Sequence, residues 1–138
     1  MPNKRIILAK IGLDSHDNGL RIIARWLMEG GYEVIYAGVY NSPEGIVNMA
    51  IQENVRAIGV SFLGGSHLFY TDQLLKLMKE NEVTGVAFFA GGVIPARDIE
   101  IMKSMGVQAV LRPGTRREEV LETIAAVLNK SEGIQSEG

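Results

Sequence analysis

Arg5-Ile6-Ile7-Leu8-Ala9-Lys10-Ile11 is a short apolar run, and the helical spacing immediately downstream of it decides the fold. Leu20, Ile23, Ala24 and Leu27 recur at helical spacing before Gly30-Gly31 stops the helix, and Val34 to Ala37 is a second short strand. Two such strands with a helix between them make one βαβ unit, and the alternation continues to the end of the chain. Ser42-Pro43 reads as N-cap and first helical residue, and Ile46, Val47, Ala50 and Ile51 give that helix an apolar face. Ala57 to Phe62 is a third strand, Leu74, Leu77 and Met78 mark a third helix, and Gly85 to Ala90 is a fourth strand. Pro95 opens a fourth helix with Ile99 and Met102, and Val107 to Leu111 is a fifth strand. Thr115 and Glu118 fit a capping box ahead of Val120, Ile124, Val127 and Leu128.

Five βα units use up the chain. Strands that are apolar throughout belong to a sheet with helices on both faces. The expected fold is therefore α/β, a flavodoxin-like doubly wound five-stranded parallel sheet in the order 2-1-3-4-5. Residues 1–130 form one domain, and the polar stretch 131–138 is expected to be a flexible tail.

Composition excludes several functions. The 138 residues contain no cysteine, which removes disulfides, thiolate metal sites and cysteine nucleophiles. A net charge of −2 gives no general drive toward nucleic acid or anionic membrane. No apolar run approaches the roughly 18 residues of a membrane span, and the start lacks a signal-peptide layout, so a cytoplasmic protein is expected. Glycine is the outlier, 16 residues against an average usage of roughly 7%.

Ligands of such sheets bind outside the carboxyl ends of the strands. The first of those loops carries Asp14-Ser15-His16-Asp17-Asn18-Gly19, a D-x-H-x-x-G pattern. A metal-bound histidine usually donates its other ring N–H to a carboxylate, and Asp14 is placed to accept it from His16, with Lys10 behind. One histidine cannot hold a bare zinc or iron ion, and only His16 and His67 exist. A metal held by His16 must bring its other ligands with it, as a tetrapyrrole-like cofactor does. Asp14 equally suits a cap of the first helix, Lys10 a solvated strand end, and Ser61 a plain strand-end serine. His67 reads as a loop or interface residue, and Trp26 and the methionines as core. Tandem glycines at Gly64-Gly65 and Gly91-Gly92 allow close approach of backbone or ligand.

The three-part pattern resembles the cobalamin-binding domain of the methylmalonyl-CoA mutase family. It runs Asp14-x-His16-x-x-Gly19, then Ser61-Phe62-Leu63, then Gly91-Gly92, with Pro113-Gly114-Thr115 beyond, and the resemblance covers roughly residues 5–128. It implies a Rossmann-like domain binding adenosylcobalamin base-off, with His16 as the lower cobalt ligand. Asp14 would accept the bond from the other imidazole nitrogen, with Lys10 behind it, and these two are the residues to which the resemblance assigns a catalytic part. Ser61 would hydrogen-bond the displaced dimethylbenzimidazole, and Leu63, Gly91 and Gly92 would line the slot for the nucleotide tail, closed by Pro113, Gly114 and Thr115. Gly19 would leave room at the first helix, and Ser15, Asp17 and Gly65 would also border the cofactor. Phe62 and Arg112 depart from the family pattern, and Arg112 would either crowd the tail pocket or contact a cofactor phosphate.

The implied function is the small subunit of an acyl-CoA mutase, an isomerase catalysing radical carbon-skeleton rearrangement. Its expected substrate is methylmalonyl-CoA, isobutyryl-CoA or 2-hydroxyisobutyryl-CoA. So short a chain leaves no room for an acyl-CoA site, so a large catalytic subunit is expected, in a heterotetramer, with the small subunit inactive alone. A corrinoid carrier of methyl transfer shares D-x-H-x-x-G but usually has a helical cap before it. The small subunit of an amino-acid mutase is a second alternative. A phosphoacceptor receiver needs an aspartate where Ser61 stands.

Overall fold

The computed structural model describes residues 3–12, 17–62 and 65–137, with side chains to residue 129. The elements run β1 (Arg5–Ile11), α1 (Asn18–Glu29), β2 (Glu33–Asn41), α2 (Pro43–Glu53), β3 (Ala57–Phe62), α3 (His67–Glu80), β4 (Ala87–Gly92), α4 (Ala96–Met105), β5 (Ala109–Leu111) and α5 (Arg117–Glu137). All five strands pair in parallel in the order β2-β1-β3-β4-β5. This is the expected doubly wound sheet, with its switch point between β1 and β3. Among the described residues no helix is long and apolar enough to cross a membrane.

Strand alternation divides the core in two. Ile7, Ala9 and Ile11 of β1 share one cluster with Ile46, Leu74, Phe88 and Met102, under α2, α3 and α4. Ile6 and Leu8 share the other with Leu27, Phe89, Leu111 and Ile124, under α1 and α5. The register aligns Lys10 with Ser61, Ser61 with Gly91 and Gly91 with Leu111, so these four form one row across the carboxyl end of the sheet. Lys10 continues the Ile6-Leu8 parity and so lies on the α1/α5 side.

Local chemistry explains most boundaries. Ser42 Oγ accepts the Gly45 N–H at 3.0 Å and Pro43 opens α2, the cap expected from sequence. The α1 stop is made by Gly30, whose N–H reaches the Trp26 carbonyl, followed by Gly31 at φ +94°.

Other boundaries differ. β2 runs to Asn41 rather than stopping at Ala37. The register slips where Ala9 meets Gly38 and again before Ile11 meets Asn41, so the glycine marks a bulge inside the strand, not its end. The Asn41 side-chain amide clasps the bulge, donating to the carbonyls of Lys10 and Gly38, both at 3.0 Å. β4 includes Gly91-Gly92, which therefore terminate the strand rather than follow it. The Thr115–Glu118 capping box is not formed. Thr115 instead gives both its hydroxyl, at 2.5 Å, and its N–H, at 3.1 Å, to the Arg112 carbonyl, closing a turn through Pro113 and Gly114 (φ +84°) before α5 begins at Arg117. The α5 bounds run on through residues 131–137.

Candidate functional site: a polarised slot beside the switch point

Between the α1/α5 side of the sheet, α1 and the Arg112–Arg117 turn lies a cavity of about 850 Å³. Its floor is built by what Gly59 lacks. A β-carbon there would lie 2.4 Å from Phe89 Cζ and 2.8 Å from Leu8 Cδ2, so the Phe89 ring lies across β3 at this position and the floor stays flat. The α1 wall presents Gly19, Ile22, Ile23 and Trp26, spaced so that all fall on one helical face. The upper end holds Lys10, Ser61 and Gly91 from the strand row, and the turn contributes Arg112 through Arg117. The slot thus combines an apolar floor and α1 wall with polar groups at the strand ends and a cationic turn, whose Arg117 Nε donates to Glu29 Oε1 (3.1 Å) at the end of α1.

Lys10 is not a solvated lysine. Only 1% of its surface is exposed, and its ammonium lies 3.3 Å from Ser61 Oγ, to which it donates. Ser61 in turn presents its oxygen at the head of the cavity. Gly92 is required by the backbone itself. At φ +100°, a β-carbon would come 2.0 Å from the Phe62 carbonyl oxygen, the same oxygen that accepts the Val93 N–H. Gly19 is the opposite case, because beyond its chain neighbours and its own helix backbone no described atom lies within 4 Å of a β-carbon built there.

Asp17, at the N-terminus of α1, has one carboxylate oxygen shared by the Tyr36 hydroxyl (2.8 Å) and Arg21 Nε (3.0 Å). The Tyr36 hydrogen bond, then Arg21, holds the Asp17 carboxyl below the usual carboxylate range. Burial, then the bond to Asp17, pushes the Tyr36 phenol up to about 12.

The structure brings together Lys10, Asp17, Gly19, Ser61, Gly91, Gly92, Pro113, Gly114 and Thr115 around one cavity. Gly65 stands apart, outside the lining, at φ +91° before α3. Asp14, Ser15, His16 and Leu63 lie outside the described residues. His67, expected in a loop or at an interface, is instead a buried first residue of α3. Its Nε2 lies 2.7 Å from Asp98 Oδ2 on α4, and Phe62 packs edge-on against its ring. Trp26, expected in the core, is half-buried and faces the cavity. Phe89 and Gly59 also escaped sequence reasoning, although a glycine inside an apolar strand is itself a signal of close approach.

The B12-binding domain model matches residues 4–122. The chain belongs to the B12-binding domain family. It is 39% identical over 124 residues to the 2-hydroxyisobutanoyl-CoA mutase small subunit of Aquincola tertiaricarbonis, covering 90% of this chain and 91% of that one. It is 35% identical to the pivalyl-CoA mutase small subunit of Xanthobacter autotrophicus, over 92% of this chain and 85% of that one. The methylmalonyl-CoA mutase of Rhizobium meliloti is 36% identical over 94% of this chain, which spans only 18% of that protein. Among solved structures, a cobalamin-binding protein from Desulfitobacterium hafniense superposes with a TM-score of 0.75 at 21% identity, over 90% of this chain and 58% of that one, a likeness of fold. As a member of the B12-binding domain family, the chain has its slot on the α1/α5 side of the sheet.

Proposed function

We propose that this chain is the cobalamin-binding small subunit of an adenosylcobalamin-dependent acyl-CoA mutase, acting with a separate large subunit that holds the acyl-CoA. The observation that carries the reading is the slot itself. It opens at the carboxyl edge beside the switch point, it combines an apolar floor with a cationic turn, and Gly19 presents no side chain to it. A nucleotide tail with an aromatic base and a phosphate fits that polarity. The mutase small subunits among its relatives support the acyl-CoA assignment.

When bound, the cofactor supplies the radical chemistry, through its cobalt–carbon bond. The chain's own residues bind and orient it. His16 would ligate the cobalt, and Asp14 would fix its tautomer by accepting the other ring N–H. Lys10, buried at the end of β1, donates to the Ser61 hydroxyl and holds it toward the slot. Ser61 thereby offers a hydrogen bond to the base of the tail, and the Arg112–Thr115 turn closes over the linker. The substrate is of the methylmalonyl-CoA, isobutyryl-CoA or 2-hydroxyisobutyryl-CoA type. The subunit works in the cytoplasm as part of a heterotetramer and is inactive alone.

Mixing the purified chain with adenosylcobalamin tests this directly. The expected result is a base-off spectrum with nitrogen hyperfine coupling to cobalt (after reduction) that His16→Ala abolishes. A spectrum identical to free cofactor overturns the proposal.

A further inference from the structure

The inner half of the slot is more specialised than a space for a tail requires. Its α1 wall ends on Trp26, the single tryptophan of the chain. Its floor is the Phe89 ring, held flat across Gly59. Trp26 packs against the cluster that contains Phe89 yet keeps part of its surface open to the cavity. Seven residues separate Gly19 from Trp26, so the wall runs about 10 Å along α1 from mouth to inner end. That length accommodates a flat ring carried on a sugar. Arg112 and Arg116 also line the slot and offer cationic partners to a phosphate.

A tryptophan half-buried beside open volume leaves part of its surface without dispersion partners. An aromatic base supplies those partners, and stacking against an aromatic side chain tolerates any flat ring. We infer that Trp26 is the residue that recognises the base of the bound tail, stacking or packing on its ring at the inner end of the slot, with Phe89 as the floor. This rests on the cofactor reading above and adds to it a specificity-determining residue. Trp26 discriminates a corrinoid with an intact nucleotide tail from one without it.

A lone tryptophan gives one indole N–H resonance, which makes the test specific. The wild-type chain, labelled with nitrogen-15, is titrated with dimethylbenzimidazole ribonucleotide, which carries no corrin, and separately with ribose phosphate. The indole resonance moves saturably with the nucleotide and not with ribose phosphate. In parallel, the chain is titrated with cobalamin and with cobinamide, the corrinoid that lacks the nucleotide. Trp26→Ala lowers the ratio of cobalamin to cobinamide affinity by about tenfold, at the lower end of base–aromatic stacking, and Trp26→Phe largely restores it. If both corrinoids bind but the indole resonance stays fixed, or the ratio is unchanged in Trp26→Ala, the assignment of Trp26 is overturned while the cofactor reading stands. If neither corrinoid binds the wild-type chain, the cofactor reading fails and this inference with it.

Discussion

Gly19 offers a prediction in which stability and binding move in opposite directions. It is the second residue of α1, in helical conformation, and a β-carbon there meets nothing within 4 Å. A glycine in a helix costs roughly 0.5–1 kcal/mol relative to alanine, mainly through the entropy of the unfolded chain. Gly19→Ala therefore stabilises the cofactor-free chain by about 0.5–1 kcal/mol, which for a domain of this size raises Tm by roughly 2–4 °C. Gly19→Leu keeps most of that gain but places a branched side chain at the mouth of the slot, and cobalamin affinity falls at least about tenfold, the equivalent of roughly 1.4 kcal/mol. Thermal melts by circular dichroism without cofactor, and spectroscopic titrations with cobalamin, read the two effects separately. Gly92→Ala is the control. Its β-carbon would fall 2.0 Å from the Phe62 carbonyl oxygen at positive φ, so it destabilises by more than about 2 kcal/mol with or without cofactor. A lower Tm for Gly19→Ala would refute the claim that the fold leaves this space open. Unchanged cobalamin affinity in Gly19→Leu would refute the claim that the cofactor enters here.

Asp98→Ala leaves the buried His67 ring without its carboxylate partner, and chemical denaturation is expected to show a loss of about 1–3 kcal/mol, with Asp98→Asn retaining part of it. Alkaline titration followed by phenolate absorbance is expected to show Tyr36 ionising near 12, and Tyr36→Phe removes that step. Because its folded pKa is raised above 10.0, Tyr36 contributes stability that is complete below pH 10 and is lost between 10 and about 12. The Asp17 carboxyl is shifted the other way, so its contribution is present above 3.8 and fades as pH falls through its lowered folded value, an effect that Asp17→Asn removes from the acid limb of the stability curve.

Much of this architecture is written in simple periodicity. Arg5–Ile11 and Ala57–Phe62 read correctly to the residue because buried parallel strands are apolar on both sides and end abruptly. The pattern fails where glycine means something other than a turn. Gly38 sits in a bulge that Asn41 clasps from the same strand, a side-chain interaction that no local window reports. Gly91-Gly92 extend β4 because their neighbours across the sheet, Ser61 and Phe62, pair with them. Thr115 has the spacing of a capping box, but the Pro113-Gly114 turn takes its hydroxyl first. In the slot, the motif positions Lys10, Ser61, Gly91 and Gly19 were legible as a set. Trp26 was not, although it continues the Gly19–Ile22–Ile23 helical face, because an apolar residue at helical spacing reads equally as core. His67 was missed because its partner, Asp98, is 31 residues away in sequence.

The sheet acts as a bulkhead between two kinds of mutational tolerance. On the side of α2, α3 and α4, Ile46, Leu74, Phe88 and Met102 are sealed, and a truncation among them opens a void that only the chain itself can fill. On the side of α1 and α5, open volume already exists along the slot, so a change of side-chain size at the half-buried positions of its α1 wall alters what can be accommodated before it alters whether the chain folds. Because residues alternate along each strand, neighbours such as Val60 and Ser61 answer to these separate demands one position apart. Ligand preference can therefore drift along one face of the sheet while the other face keeps the fold fixed.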